Sequence, residues 1–205
     1  MTNSGNPIPL GFTSKELSGS YHVCLIYENE KQRQKIVSEY LAAGIRHGEL
    51  VRYFTDKTNP ETIRSWLWEL GVELTEAEQK EAFAILQTDR AYYPTGQFKP
   101  QVAIDNAINR YDIAEKAGFK GSRVCGEMSW ALKDVPGSER IMEYEVLLNS
   151  VNHPFPHTGM CQYDARLFDG VTLLKVLQVH PYIIAQGQIV QNPYYIKPEE
   201  YTENR

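Results

Sequence analysis

Arg123-Val124-Cys125-Gly126-Glu127-Met128-Ser129-Trp130 is a short apolar run with one carboxylate in it, entered from a glycine-containing turn. Its length and composition fit a strand covered on both faces, as in a parallel sheet. An unpaired carboxylate is expensive to bury. Glu127 therefore belongs at the strand's carboxyl end, where an open α/β sheet forms its ligand crevice. Apolar runs with polar endings recur at residues 21–28, 51–56, 83–89 and 160–164, and helical spacing fills the intervals. Five strands alternating with helices predict a three-layer, mostly parallel α/β domain with right-handed crossovers.

Local signals set the boundaries. Asn29 is placed to cap a helix whose apolar positions Ile36, Val37, Tyr40, Leu41 and Ile45 share one face, with Gly48 as its stop. Asn59-Pro60 supplies a second N-cap with proline in the first turn. Thr75 with Glu78, Ser138 and Asp169 are read as further caps. Residues 182–185 and 188–190, parted at Gly187, predict an edge hairpin antiparallel to its neighbours. The aromatic loop 91–100 reads equally as a lid over the sheet's rim and as a cover folded onto apolar surface. Residues 1–18 read as a mobile lead-in, although Ile8, Leu10 and Phe12 suit packing on the domain, 19–193 as one domain, and 194–205 as a polar tail.

With 205 residues the chain is long enough to bury roughly 70% of its unfolded surface without staples. Its 21 basic and 26 acidic residues leave no basic footprint for nucleic acid or a membrane surface. Three separated cysteines, each inside an apolar run, suit reduced thiols in a cytoplasmic protein.

A nucleotide-hydrolysing phosphate loop needs glycines and a Lys-Ser/Thr pair. The first strand is followed instead by Glu28-Asn29-Glu30-Lys31, with no glycine between Gly19 and Gly44. Cysteine nucleophiles are disfavoured because all three lie inside strands. His22 and Cys24 project to one strand face, and Cys125 and Cys161 would join them if their strands flank the first. Without the tight spacing of zinc motifs, packing is the better reading, so no metal and no cofactor are expected. The His153–His157 loop is a weaker candidate of the same kind. A ligand set is instead read at the carboxyl rim, where Tyr27, Glu28, Glu127, Trp130, Tyr163, Asp164 and Arg166 supply aromatic walls and polar anchors, with His22 and Cys24 behind them. If Glu127 is scaffold, Arg166 or Arg123 is its expected partner. If it serves a ligand, Glu127→Gln is expected to change stability by less than about 1 kcal/mol.

These residues resemble the MEDS (methanogen/methylotroph, DcmR sensory) domain family over about residues 20–193. The resemblance rests on His22-Val23-Cys24-Leu25-Ile26-Tyr27-Glu28, Gly48-Glu49-Leu50-Val51, Gly126-Glu127-Met128-Ser129-Trp130-Ala131, Glu143-Tyr144-Glu145 with Asn149, Cys161-Gln162-Tyr163-Asp164, His180-Pro181 and Asn192-Pro193. More distantly the chain is similar to the RecA/KaiC group of P-loop ATPases, with Arg123 to Glu127 at the Walker B position and the Walker A loop missing. The resemblance implies a RecA-like fold with a degenerate nucleotide site. It also implies a sensory role in prokaryotic signalling and transcription regulation, with a small hydrocarbon derivative, methylated or chlorinated, as ligand. On this reading the chain is not an enzyme. It acts as a stand-alone sensor or homodimer that signals through a protein partner. The alternatives are an enzyme with Glu127 as general acid or base, and a non-hydrolysing nucleotide binder.

Overall fold

A computed structural model of the chain describes residues 7–201. The first described residues are not a loose lead-in: β1 (Pro7–Pro9) and β2 (Glu16–Ser18) pair as an antiparallel hairpin, and Ile8 and Leu10 are buried. Two apolar anchors and a backbone acceptor used by the core, the Pro9 carbonyl, hold it in place. Residues 1–6 and 202–205 lie outside the described residues.

The domain is built on β3 (Tyr21–Tyr27), β4 (Leu50–Thr55), β5 (Phe83–Gln87), β6 (Ser122–Glu127), β7 (His157–Asp164), β8 (Tyr182–Ala185) and β9 (Gln188–Gln191). These form one seven-stranded sheet in the order β5-β4-β6-β7-β3-β8-β9. All neighbours are parallel except β8 and β9. The predicted edge hairpin is present, but its first strand joins β3 in parallel, because the helix Gly170–Val179 carries the chain back across the sheet before β8 begins. The hairpin turn uses Gln186 and Gly187, both at positive φ (51° and 73°), the pairing that two-residue turns need to match strand twist.

Helices α1 (Glu30–His47), α2 (Pro60–Glu69) and α3 (Leu74–Gln79) cover one face. On the other lie α4 (Thr88–Tyr92), α5 (Pro100–Lys116), α6 (Ile141–Ser150) and α7 (Gly170–Val179). Strand alternation sorts the core accordingly. Val23, Leu25, Val51, Tyr53, Cys125 and Met160 pack with α1 and α2, whereas Cys24, Phe54, Cys161 and Tyr163 pack with α5, α6 and α7.

The Asn29 cap is present: its Oδ1 accepts from the N–H groups of Lys31 (2.9 Å) and Gln32 (3.2 Å). Asn29→Ala is expected to cost about 1 kcal/mol, read as a small fall in urea midpoint at unchanged slope. Asn59 and Asp169 also cap their helices. Ser138 and Thr75 do not. Residues 138–140 form a 3-10 turn ahead of α6, and α3 begins at Leu74 with no side-chain cap. In the 91–100 loop the aromatics fold inward: Tyr92 and Phe98 are buried against Trp130, with ring centroids 5.0 and 4.8 Å away. The loop is a cover, not a lid.

Candidate functional site

At the carboxyl rim, the turns after β3, β4 and β7 enclose a cleft of about 530 Å³ lined by Tyr27, Arg33, Lys57, Glu127, Asp164 and Arg166 among others. Its charges are largely satisfied by one another. Glu127 accepts from the Tyr53 hydroxyl (2.6 Å) and from the backbone N–H groups of Asp56, Lys57 and Thr58 (2.8, 2.7 and 3.3 Å). Burial alone would raise its carboxyl pKa, but these donors outweigh burial and hold it below the usual carboxylate range. Buried Arg33 bonds Tyr53, Gln162, Thr58 and Glu30, and lies 3.5 Å from Glu127. Arg166 pairs with Asp164 and Glu30. Neither sequence-expected partner reaches Glu127, since Arg123 is turned to Glu49 at the other end of its strand.

The nine sequence-expected residues do not form one site. Tyr27, Glu127, Asp164 and Arg166 line the rim cleft, and Glu28 is exposed on the β3–α1 turn outside it. Trp130 is fully buried in the 3-10 turn 129–132, among Tyr92, Tyr93 and Phe98. Tyr163, His22 and Cys24 belong to the opposite sheet face, because they sit one pleat out of phase with Tyr27 and Asp164.

On that opposite face, four elements bring buried polar side chains together. His22 of β3 places Nε2 2.9 Å from Glu145 Oε2 of α6 and 3.4 Å from the Sγ of Cys161 of β7. His180, just past α7, has Nε2 3.6 Å from the same carboxylate oxygen, and the two imidazole centroids are 4.2 Å apart. The Tyr163 hydroxyl donates to the other Glu145 oxygen. Burial, with His22 beside it, pushes the His180 pKa down to about 3 and keeps the ring neutral. Cys24 shares this face, but the four clustered groups are His22, Glu145, Cys161 and His180. Cys125 faces α1 and accepts from Gln162. Burial pushes all three thiols up, against a nucleophilic role. Glu145, Asn149 and His180 carried no chemical role in the sequence reading. Their only signal was membership of the resemblance's blocks, since no short spacing links residues from α6, α7 and two strands. His153 of the His/Pro loop meets Asp112 (3.1 Å) at the surface, and His157 stacks on Tyr111.

Beside this cluster, at the amino ends of β3, β7 and β8, a cavity of about 160 Å³ is walled by Tyr21, Tyr111, Tyr182 and Tyr195, with His22, Asn149 and His157 as polar anchors. None of the described residues lining it is Asp, Glu, Lys or Arg. Burial lowers the His157 pKa, so that ring adds no charge at neutral pH.

A mostly parallel seven-stranded sheet with helices on both faces and a carboxylate ending β6 defines a RecA/KaiC-like α/β fold. Solved structures agree. The chain is similar to the KaiC-like protein PH0186 of Pyrococcus horikoshii OT3, with 14% identity over 81% of this chain and 70% of that one and a TM-score of 0.54. The uncharacterized protein PH0321 of Pyrococcus horikoshii, solved with an unknown peptide, is 16% identical over 90% of this chain and 91% of that one (TM-score 0.61). The flagellar accessory protein FlaH of Methanocaldococcus jannaschii is 7% identical over 83% and 74% respectively (TM-score 0.54). At these identities the likeness concerns the fold alone.

Residues 21–181 match MEDS, the MEthanogen/methylotroph, DcmR Sensory domain, and the chain belongs to that family. The transcriptional repressor DcmR of Methylorubrum extorquens (strain DSM 6343 / CIP 106787 / DM4) is 26% identical over 162 residues. The match covers 78% of this chain and 57% of the repressor, so the chain spans little more than half of that relative's length. No helix among the described residues is long and apolar enough to cross a membrane.

Proposed function

We propose that the chain is a ligand-sensing domain that binds a small neutral organic molecule in the amino-end cavity and reports occupancy to a protein partner, without turnover. The observation that carries this reading is the cavity itself: about 160 Å³, aromatic-walled, without Asp, Glu, Lys or Arg among its described lining residues, and bordered by His22 and Asn149, both within the matched residues 21–181. A cavity of ~150 Å³ is enough for a benzene-sized molecule, so short alcohols, neutral methylated amines and chlorinated methanes fit. Each would bury apolar atoms against tyrosine rings and offer at most one or two polar atoms to His22, Asn149 or His157. The rim cleft is a poorer host, because Glu127 already occupies the N–H groups of residues 56–58 and Arg33 fills the space between α1 and the sheet. Occupancy has a direct route to the C-terminal segment, since Tyr195 closes the cavity while its neighbour Tyr194 is exposed. A regulatory role, by analogy with the repressor relative, follows if that segment meets the partner.

Gly159 of β7 gives the test. A Cβ there meets only His22 Cδ2, at 3.9 Å, so a side chain grows into the cavity without displacing backbone. Gly159→Val should fold and melt at or above the parent, since valine suits a strand. In a thermal-shift panel of C1–C4 alcohols, methylamines, chlorinated methanes, ATP and GTP, the parent should be stabilised by an organic compound and Gly159→Val should not. Stabilisation by nucleotide alone, or an organic shift that survives the substitution, would contradict the proposal.

A further inference from the structure

The buried polar cluster is more than a satisfied core network. His180 Nδ1 lies 2.8 Å from the Val176 carbonyl, so it carries the proton and Nε2 holds a bare lone pair. That Nε2 is fully buried and has no hydrogen-bond partner among the described residues. Asn149 Nδ2 donates to the carbonyls of Glu145 (3.0 Å) and Val179 (2.7 Å), which turns its Oδ1 toward His22 Nδ1 at 3.0 Å. His22 Nδ1 must then be the donor, and its Nε2 faces Glu145 at 2.9 Å. Two imidazole nitrogens, a carboxylate oxygen and a cysteine sulfur thus converge in a buried space, all four within 4.8 Å of one another. A single proton on His22 would relieve one contact and leave His180 Nε2 orphaned. A metal cation relieves all of them.

We propose that His22 Nε2, Glu145 Oε2, Cys161 Sγ and His180 Nε2 are the ligands of one divalent transition-metal ion, with Zn²⁺ as the best fit. Bonds of ~2.0–2.3 Å to a tetrahedral ion place its ligands roughly 3.3–3.8 Å apart. Four of the six ligand pairs here lie 2.9 to 3.6 Å apart and the other two, from His180 to His22 and to Cys161, lie within 4.8 Å, so the ion has to draw His180 inward. Two nitrogens, one oxygen and one sulfur make a borderline-soft set that suits Zn²⁺ over Mg²⁺ or Ca²⁺. The outer partners are those a metal site requires: Asn149 and the Val176 carbonyl fix both tautomers, and Tyr163 holds the free carboxylate oxygen. The amino-end cavity, which His22 also lines, is the route in. With four protein ligands the site is closed, and Cys161 binds as thiolate, releasing its proton to solvent as the ion enters. This revises the sequence expectation of no metal, and it does not depend on the ligand proposed for the cavity.

Protein purified without chelator should carry about one equivalent of zinc per chain by elemental analysis. Cobalt(II) added to the chelator-stripped chain should give the intense visible bands of a tetrahedral ion and a near-ultraviolet thiolate charge-transfer band. Cys161→Ser should lose the charge-transfer band and Cys24→Ser should keep it, while Asn149→Leu should weaken metal affinity about 10- to 100-fold. If Cys161→Ser does not fold, the parent's cobalt spectrum decides alone. Metal-free protein as purified, with added cobalt remaining weakly coloured and octahedral, would overturn the proposal, as would a charge-transfer band that persists in Cys161→Ser.

Discussion

Arg123→Met is expected to lower the unfolding free energy by about 3–5 kcal/mol, the cost of stranding a buried charge, or roughly 10 °C in Tm for a domain of this size. Arg123 and Glu49 are both essentially inaccessible, and they meet through two parallel bonds of 2.6 and 2.8 Å. The remaining guanidinium donors go to the Tyr40 carbonyl (2.6 Å) and to Pro9 of the N-terminal hairpin (2.8 Å), and the cation lies 4.5 Å from the Tyr40 ring centroid. The pair ties β6, the start of β4, α1 and the hairpin together. It also explains a glycine in the last turn of α1, because a Cβ on Gly44 would lie 2.6 Å from Arg123 Cδ. A buried pair need not stabilise relative to an apolar one, so Arg123→Met combined with Glu49→Leu should recover more than half of the single variant's loss. Urea unfolding of the two singles and the double checks this. A double variant as unstable as the sum of the singles would show that the pair's packing matters more than its charge.

Glu127→Ala should cost a similar 3–5 kcal/mol, because it leaves buried Arg33 with Glu30 as its remaining carboxylate partner and leaves three backbone N–H groups and the Tyr53 hydroxyl to find water. Glu127→Gln should cost about half as much, since charge-assisted bonds are roughly twice as strong as neutral ones. This replaces the expectation that glutamine would be tolerated. The pH dependence has a definite sign. The folded carboxyl pKa lies below the unfolded value of about 4.3, so its contribution is present above that value and is lost as pH falls through the folded pKa. The stability gap between parent and Glu127→Gln, measured by denaturant titration from neutral pH downward, should therefore close in acid. A gap that stays constant would mean the carboxylate's charge is not what the loop uses.

The strands and most helix starts were legible because each rests on local chemistry: two-sided apolar runs, Asn29 and Asn59 at helix entrances, Gly48 at φ 84° ending α1. The N-terminal hairpin was not, since three-residue strands flanked by Pro and Gly carry no periodicity, and only the packing of Ile8 and Leu10 on the domain was readable. The rim position of Glu127 was readable from strand logic, but its partners were not. Backbone N–H groups of residues 56–58 have no sequence signature, and the nearest arginine came from α1, not from the expected Arg123 or Arg166. The phase of β7 mattered most. Gly159 and the prolines before it concealed three residues of the strand, and alternation along β3 and β7 then assigned His22, Cys24 and Tyr163 to the face opposite Tyr27 and Asp164. The His22–Glu145–Cys161–His180 cluster joins residues up to 158 positions apart (22 to 180) and emerges only once β3, β7, α6 and α7 are packed.

The most direct measurement is an amide chemical-shift map of the chain titrated with the organic compound that gives the largest thermal shift. Binding in the amino-end cavity predicts saturable shifts at Tyr21, His22, Asn149, Gly159 and Tyr195, all near the cavity, with Lys57, Thr58 and Arg166 at the opposite end unmoved. Shifts concentrated at Lys57, Thr58 and Arg166 would place the ligand in the rim cleft and contradict the account.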